Sequence, residues 1–217
     1  MNVIVTCGPS FEPLDEVRRL TNFSTGELGV LLSNQLAQAG FDVRCLKGSG
    51  ATHPNPVMAC ATLPFSTNDQ LFDRLDEMAR TQDIGAVFHA AALCDFKVQR
   101  ISDVGGNTLT SAKVPSRAGA LVLQLVPAMK VIGELRRLFP RSLLVGWKYE
   151  LTGAPSEAMA RARSQIEENH LDACVLNGRA YGPGFAFCPA GGGMEHVETK
   201  TELASFLTHW LRGACSA

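Results

Sequence analysis

Apolar residues along the chain switch repeatedly between two periods. Residues 2–6 (Asn-Val-Ile-Val-Thr) form an unbroken β-favouring run. Leu28, Leu31, Leu32, Leu36 and Ala39 then recur at helical spacing until Gly40 stops them. The exchange continues to the C-terminus, with strand-like runs at 41–46, weakly at 58–63, and at 86–91, 142–147 and 173–176. Helical periodicity fills 68–80, capped by Ser66 or Thr67, and 129–138 ahead of Pro140. It returns at 155–169, with Pro155 in the first turn, and at 201–211, with Thr201 as cap. Alternation of this kind predicts an α/β fold: a Rossmann-like, mostly parallel sheet with helices on both faces. One stretch departs from it. Glycines 105, 106 and 119, Pro115 and the alternating Leu121, Leu123 and Leu125 predict a loop and hairpin projecting from the sheet at about 97–125. Residues 182–193, with five glycines and two prolines, read as a flexible loop.

A chain of 217 residues, 46 % of them apolar, is the size of one α/β domain with a full core. Twenty Lys and Arg against 21 Asp and Glu leave a net charge of −1. No general basic excess drives nucleic-acid binding, so an anionic ligand has to be held by local geometry. No run approaches the ~18 apolar residues of a membrane span, and the chain enters its first strand without a basic leader. Neither a membrane segment nor a signal peptide is expected. The seven cysteines include no Cys-x-x-Cys pair, and most, Cys45, Cys60 and Cys174 among them, sit in apolar runs. Buried free thiols in a reducing compartment look like this, and a cytoplasmic location is expected. The five histidines share no metal-ligand spacing, so no resident metal is expected.

Ligands of open α/β sheets bind at the carboxyl ends of the strands, so the residues after each predicted strand carry the most weight. The connection after the first strand runs to about twenty residues, where 2–6 are usual. It ends in Asn22-Phe23-Ser24-Thr25-Gly26, at a helix start whose free N–H groups and positive dipole end favour an anion. A helix cap with close packing at Gly26 and Gly29 explains the same residues equally well. The fingerprint Gly-x-Gly-x-x-Gly is absent, and the second strand ends Leu46-Lys47-Gly48 with no acidic residue. Both absences weigh against an NAD(P)- or flavin-binding oxidoreductase, which the β/α pattern alone would allow.

With Gly8-Pro9-Ser10, Glu12-Pro13-Leu14-Asp15-Glu16-Val17-Arg18, Thr21 to Gly26 and Gly29 in this order, the sequence resembles the phosphopantothenate–cysteine ligase (phosphopantothenoylcysteine synthetase) family of coenzyme A biosynthesis. Matches continue through Ala90 to Phe96, Lys113, Val126-Pro127 with Lys130, Val145 to Glu150 and Asp172 to Asn177, covering nearly the whole chain. The resemblance implies a stand-alone form without the flavin-dependent decarboxylase domain fused to this module in many bacteria. It implies a cytoplasmic homodimer that couples 4′-phosphopantothenate to cysteine. ATP or CTP with Mg²⁺ would form an acyl-nucleotide and release pyrophosphate. The protein then has to hold several polyanions and keep water from a mixed anhydride.

Carried over position by position, Gly8, Ser24, Gly26 and Gly29 form the nucleotide phosphate cradle, with Trp147 near the base and Asn177 a further nucleotide contact. Asn22 contacts substrate and acyl-nucleotide. Ala92 and Asp95 line the substrate side, Lys113 closes over the acyl-phosphate from a loop, and Arg18 binds the phosphopantothenate phosphate across a dimer interface. Each role has a plainer competitor. Asn22 and Ser24 could cap the helix, Lys113 could be a solvated lysine, Arg18 a surface ion pair with its acidic neighbours, Asp95 a turn cap and Trp147 core. The chain also departs from the CTP-using branch. It has Lys113-Val114-Pro115-Ser116 where that branch has Lys-Ile-Lys-Lys, and Gln165 and Asn169 where it has helix lysines. These losses favour ATP and leave room for a diverged paralogue acting on another acid and amine.

Overall fold

β1 (Asn2–Cys7) is buried on both sides, because Val3 and Val5 face one core while Ile4 faces the other. Around it the computed structural model, which describes residues 1–58 and 61–216, builds an eight-stranded sheet. β4 (Asp42–Gly48) and β5 (Ala61–Phe65) lie on one side of β1. On the other lie β6 (Ile84–His89), β9 (Leu143–Tyr149) and β10 (Ala173–Asn177), all parallel to it. Read as β5-β4-β1-β6-β9-β10, this is the strand order of dinucleotide-binding folds. Helices α1 (Glu27–Gln38) and α5 (Lys200–Ser216) supply Leu32, Leu36, Leu203 and Leu207 to one core. The other core takes Leu71, Leu135 and Ile166 from α2 (Asn68–Thr81), α3 (Val131–Leu138) and α4 (Pro155–Asn169). The fold class expected from the alternation is therefore the one formed.

The expected projecting hairpin is a separate two-stranded ribbon, β7 (Phe96–Asp103) against β8 (Leu121–Pro127). Two local readings need correction, and the first connection holds elements the sequence did not announce. The long first connection contains a short antiparallel pair, β2 (Phe11–Pro13) with β3 (Arg19–Thr21). The expected flexible loop at 182–193 contains β11 (Phe185–Pro189), which pairs antiparallel with β10 and with β12 (Glu195–Val197). Glycine density hid this strand, but Phe187 packs edge-on to Phe206 and Trp210 of α5, at ring-centroid separations of 5.2 and 5.1 Å. The cap of α5 is Thr199, not Thr201. Its hydroxyl accepts the Glu202 N–H at 3.2 Å, while the Glu202 carboxylate takes the Thr199 N–H at 3.0 Å. Thr67 caps α2 as expected. Cys60, part of the weak strand read at 58–63, and the Cys215 side chain lie outside the described residues.

Candidate active site

The sheet changes winding direction between β1 and β6, and the segments leaving their carboxyl ends run side by side. Pro9 bridges to Ala92, whose N–H donates to the Gly8 carbonyl at 2.9 Å, while the Ser10 N–H donates to the Ala92 carbonyl at 3.1 Å. Asn22 reaches this same carbonyl with its side-chain N–H at 2.8 Å. Ser10 is fully buried, and its hydroxyl accepts the Cys94 N–H at 2.8 Å. The β2–β3 hairpin thus returns the chain so that Asn22 stands at the end of β6. This is the crevice where open α/β sheets take their ligands.

Two glycines form the floor beside it. Gly8 and Gly26 hold φ of +77° and +80°, a left-handed conformation in which a side chain is strained. Ala51 closes over them: a Cβ on Gly8 would lie 2.7 Å from the Ala51 Cβ, and one on Gly26 would lie 3.3 Å from the Gly8 Cα. Gly26 is itself the cap of α1 and brings no side chain to it, and the helix's first N–H, that of Glu27, donates to the Thr25 hydroxyl at 3.3 Å. Asn22 is therefore committed to Ala92 rather than to the cap, and Ser24 is half-buried just ahead of it. Gly29 sits one turn into α1 directly over Cys7, where a Cβ would overlap the Cys7 Cβ. Its smallness lets the helix start approach the strand end.

Arg18 and Lys113 meet through one residue. The Arg18 guanidinium pairs with Asp15 and donates to the Val114 carbonyl at 2.7 Å, next to the exposed Lys113. Hydrogen bonding from Arg18 holds the Asp15 carboxyl well below the usual carboxylate range, helped by the Val17, Val114 and Arg18 N–H groups. Asp95 is exposed and ion-paired to Lys130 at the root of the β7–β8 ribbon. Trp147 stands two residues before the end of β9, and Asn177 ends the neighbouring strand β10. Trp147 packs half-buried against the α1–α5 core with its indole N–H unpartnered among the described residues. Among the described residues no hydrogen bond ties Trp147 or Asn177 to the Gly8–Asn22–Ala92 group. The switch point thus gathers Gly8, Asn22, Gly26 and Ala92, with Arg18 and Lys113 as a second group.

Other residues build the site without having been given a role from the sequence. Ser10 pegs the 92–94 turn, and Asn68, nearly fully buried at the start of α2, donates to the carbonyls of Cys94 and Met129 at 2.8 and 3.0 Å. His89, the last residue of β6, accepts or donates a 2.9 Å bond at Nδ1 to the Thr6 hydroxyl, and burial pushes its pKa down to about 4. It is therefore a neutral imidazole at physiological pH. Cys7 is buried against Cys45, and that hydrogen bond together with burial pushes its thiol far up. Ser10 and Cys94 lie in blocks that carry the family resemblance, as does Asp15, an acidic residue three before Arg18.

This architecture defines a Rossmann-like α/β protein whose ligand edge is built from a rebuilt first connection instead of a glycine-rich dinucleotide turn. The family model described as the DNA/pantothenate metabolism flavoprotein C-terminal domain matches residues 1–188, and the chain belongs to that family. The coenzyme A biosynthesis bifunctional protein CoaBC of Thermococcus kodakarensis is 29 % identical over 175 residues, 81 % of this chain and 40 % of that protein. The CoaBC protein of Bacillus subtilis is 26 % identical over 185 residues, 85 % of this chain and 42 % of that protein. The chain thus spans about two fifths of the length of these relatives. The crystal structure of the DNA/pantothenate metabolism flavoprotein from Streptococcus pneumoniae superposes with a TM-score of 0.88 at 22 % identity, covering 99 % of both chains. A Cab2 variant in complex with phosphopantothenate-cysteine gives 0.74 at 17 % identity, covering 99 % of this chain and 86 % of that one. Both share the fold.

Proposed function

We propose that the chain is the acid–amine ligase of coenzyme A biosynthesis, joining 4′-phosphopantothenate to cysteine. The observation that carries the reading is the Asn22–Ala92–Gly8 connection at the β1/β6 switch point, in a chain whose family and CoaBC relatives belong to pantothenate and coenzyme A metabolism. A carboxylate oxygen of phosphopantothenate attacks the α-phosphate of the nucleotide, and pyrophosphate leaves. The cysteine amine then attacks the acyl carbon, the nucleoside monophosphate leaves, and the amine gives up a proton as the amide forms.

The chain's own residues serve this chemistry mainly by positioning and charge stabilisation. Gly8, Ser24 and Gly26 let phosphate oxygens come close to backbone, and Gly29 draws the α1 N-terminus to the same place. Asn22, one N–H fixed on Ala92, presents the rest of its amide to the activated carbonyl. Lys113 offers an ammonium to the acyl-phosphate. Arg18 has Nη1 left for the phosphopantothenate phosphate, since Nε and Nη2 turn inward. Ala92 and Asp95 line the substrate side, and Trp147 and Asn177 flank the nucleotide. Mg²⁺ enters as counter-ion to the nucleotide phosphates. No group of three His, Cys, Asp or Glu among the described residues is placed to hold it as a resident ion.

ATP is favoured over CTP. Gln165 and Asn169, which replace lysines of the CTP-using pattern, are spent on the Trp147 and Gln165 carbonyls at 3.3 and 2.8 Å. The enzyme works as a homodimer in the cytoplasm. Phe23 on the first connection and Phe96, Leu121, Val122 and Leu125 on the ribbon are exposed apolar side chains open to such a contact. The test is pyrophosphate release by the purified protein with phosphopantothenate, cysteine and Mg²⁺, comparing ATP with CTP. Release that needs both organic substrates supports the ligase and selects the nucleotide. Release independent of cysteine makes the amine wrong, and no release with either nucleotide overturns the reading.

A further inference from the structure

The segment that carries Lys113 is fastened on both sides of that residue. The Glu16 N–H donates to the Ala112 carbonyl at 3.0 Å, and the Val114 N–H donates to Asp15 Oδ2 at 3.1 Å. Arg18 Nη2 donates to the Val114 carbonyl at 2.7 Å. Val114 thus has both backbone groups committed, and its side chain is buried. Lys113, its neighbour, is exposed. Asp15 organises the arrangement. Oδ1 accepts the Val17 and Arg18 N–H groups at 2.9 and 2.7 Å, and Oδ2 accepts Val114 and the Arg18 guanidinium. With a side chain only 1 % exposed against 42 % for Arg18, Asp15 faces no ligand.

We propose that Asp15 is a positioning residue: with Arg18 it clamps residues 112–114 to the 15–18 turn and so sets where the Lys113 ammonium stands. The inference rests on the role given to Lys113 above and deepens it. An ammonium on a flexible stem gains nothing from a fixed backbone unless its position matters. Here three hydrogen bonds from a distant turn hold that backbone without any ligand. Arg18 then acts inward through Val114 as well as outward through Nη1. The carboxylate is required because all its contacts are donors: Asp15→Asn puts an N–H₂ against either the Val17/Arg18 N–H pair or the Val114/Arg18 pair.

Trypsin reads the clamp directly, since Lys113–Val114 is a cleavable bond. In the full chain, Asp15→Asn is expected to raise cleavage at this bond at least tenfold while the melting temperature moves by only a few degrees. The same variant should lower kcat about tenfold with the nucleotide KM unchanged, and should add no further loss in a Lys113→Gln background. Arg18→Lys, which gives up the Val114 carbonyl contact, should also raise cleavage and serves if Asp15→Asn fails to fold. Unchanged cleavage in the folded variants overturns the clamp. An equal loss of kcat in the Lys113→Gln background overturns its action through Lys113. Full activity of Lys113→Gln alone would instead sink the role of Lys113 in the ligase while leaving the cleavage result to judge the clamp.

Discussion

Asn22 and Ala92 are seventy positions apart in the chain, yet the side-chain N–H of one sits 2.8 Å from the carbonyl of the other. The bond joins the last loop before α1 to the turn after β6, so the two walls of the crevice are one hydrogen-bonded unit. Because Ala92 also donates to Gly8, a change at Asn22 is felt at the glycine floor.

Asn22→Asp keeps the size of the side chain but turns the donor into a carboxylate oxygen facing the Ala92 carbonyl. Amide formation should fall at least tenfold while pyrophosphate release continues, so the acyl-nucleotide accumulates and can be weighed by mass spectrometry. Asn22 is exposed, and the stability change should stay within about 1.5 kcal/mol. Amide formation at the wild-type rate would remove Asn22 from the chemistry.

Lys113→Gln removes a charge whose side chain has no hydrogen-bond or ion-pair partner among the described residues. Turnover should drop by an order of magnitude or more, with the urea midpoint unchanged within error. An unaltered rate would return Lys113 to the class of solvated lysines.

Gly29→Ala places a methyl group where the Cys7 Cβ already lies. Overpacking a helix against a strand should cost about 1–3 kcal/mol, read as a lower urea midpoint at constant slope. A cost below about 0.5 kcal/mol would mean that α1 can move off β1.

His89 makes stability fall as the solution is acidified. Burial holds its folded pKa at about 4, whereas an unfolded histidine titrates near 6.5. Between these values the unfolded chain binds the extra proton, so stability is full above about pH 6.5 and declines toward pH 4, by on the order of 3 kcal/mol. Asp15 works in a lower window. Its depressed pKa stabilises the fold above the ordinary carboxylate range, and that contribution is lost only below about pH 5. His89→Asn, which can still bond to Thr6, should flatten the slope of unfolding free energy between pH 6.5 and 4. A slope identical to wild type would assign it to other groups.

The sequence by itself determined the order of strands and helices, because the periods of two and 3.6 residues are written locally in the side chains. It also marked Gly8, Asn22, Gly26 and Lys113, since the motif that resembles the ligase family lies in short, contiguous blocks. Where local composition was ambiguous it misled. Residues 185–189 form a strand because Phe187 finds Phe206 and Trp210, two aromatic partners supplied by a helix near the C-terminus. Tertiary structure alone decided the rest. Gly29 proved to be a packing position because Cys7 lies beneath it, and Asp15 became the hub of a clamp because Val114, ninety-nine residues away, offers it an N–H. Contacts of that range depend on how β1, β6 and the ribbon are brought together, and no local period records them.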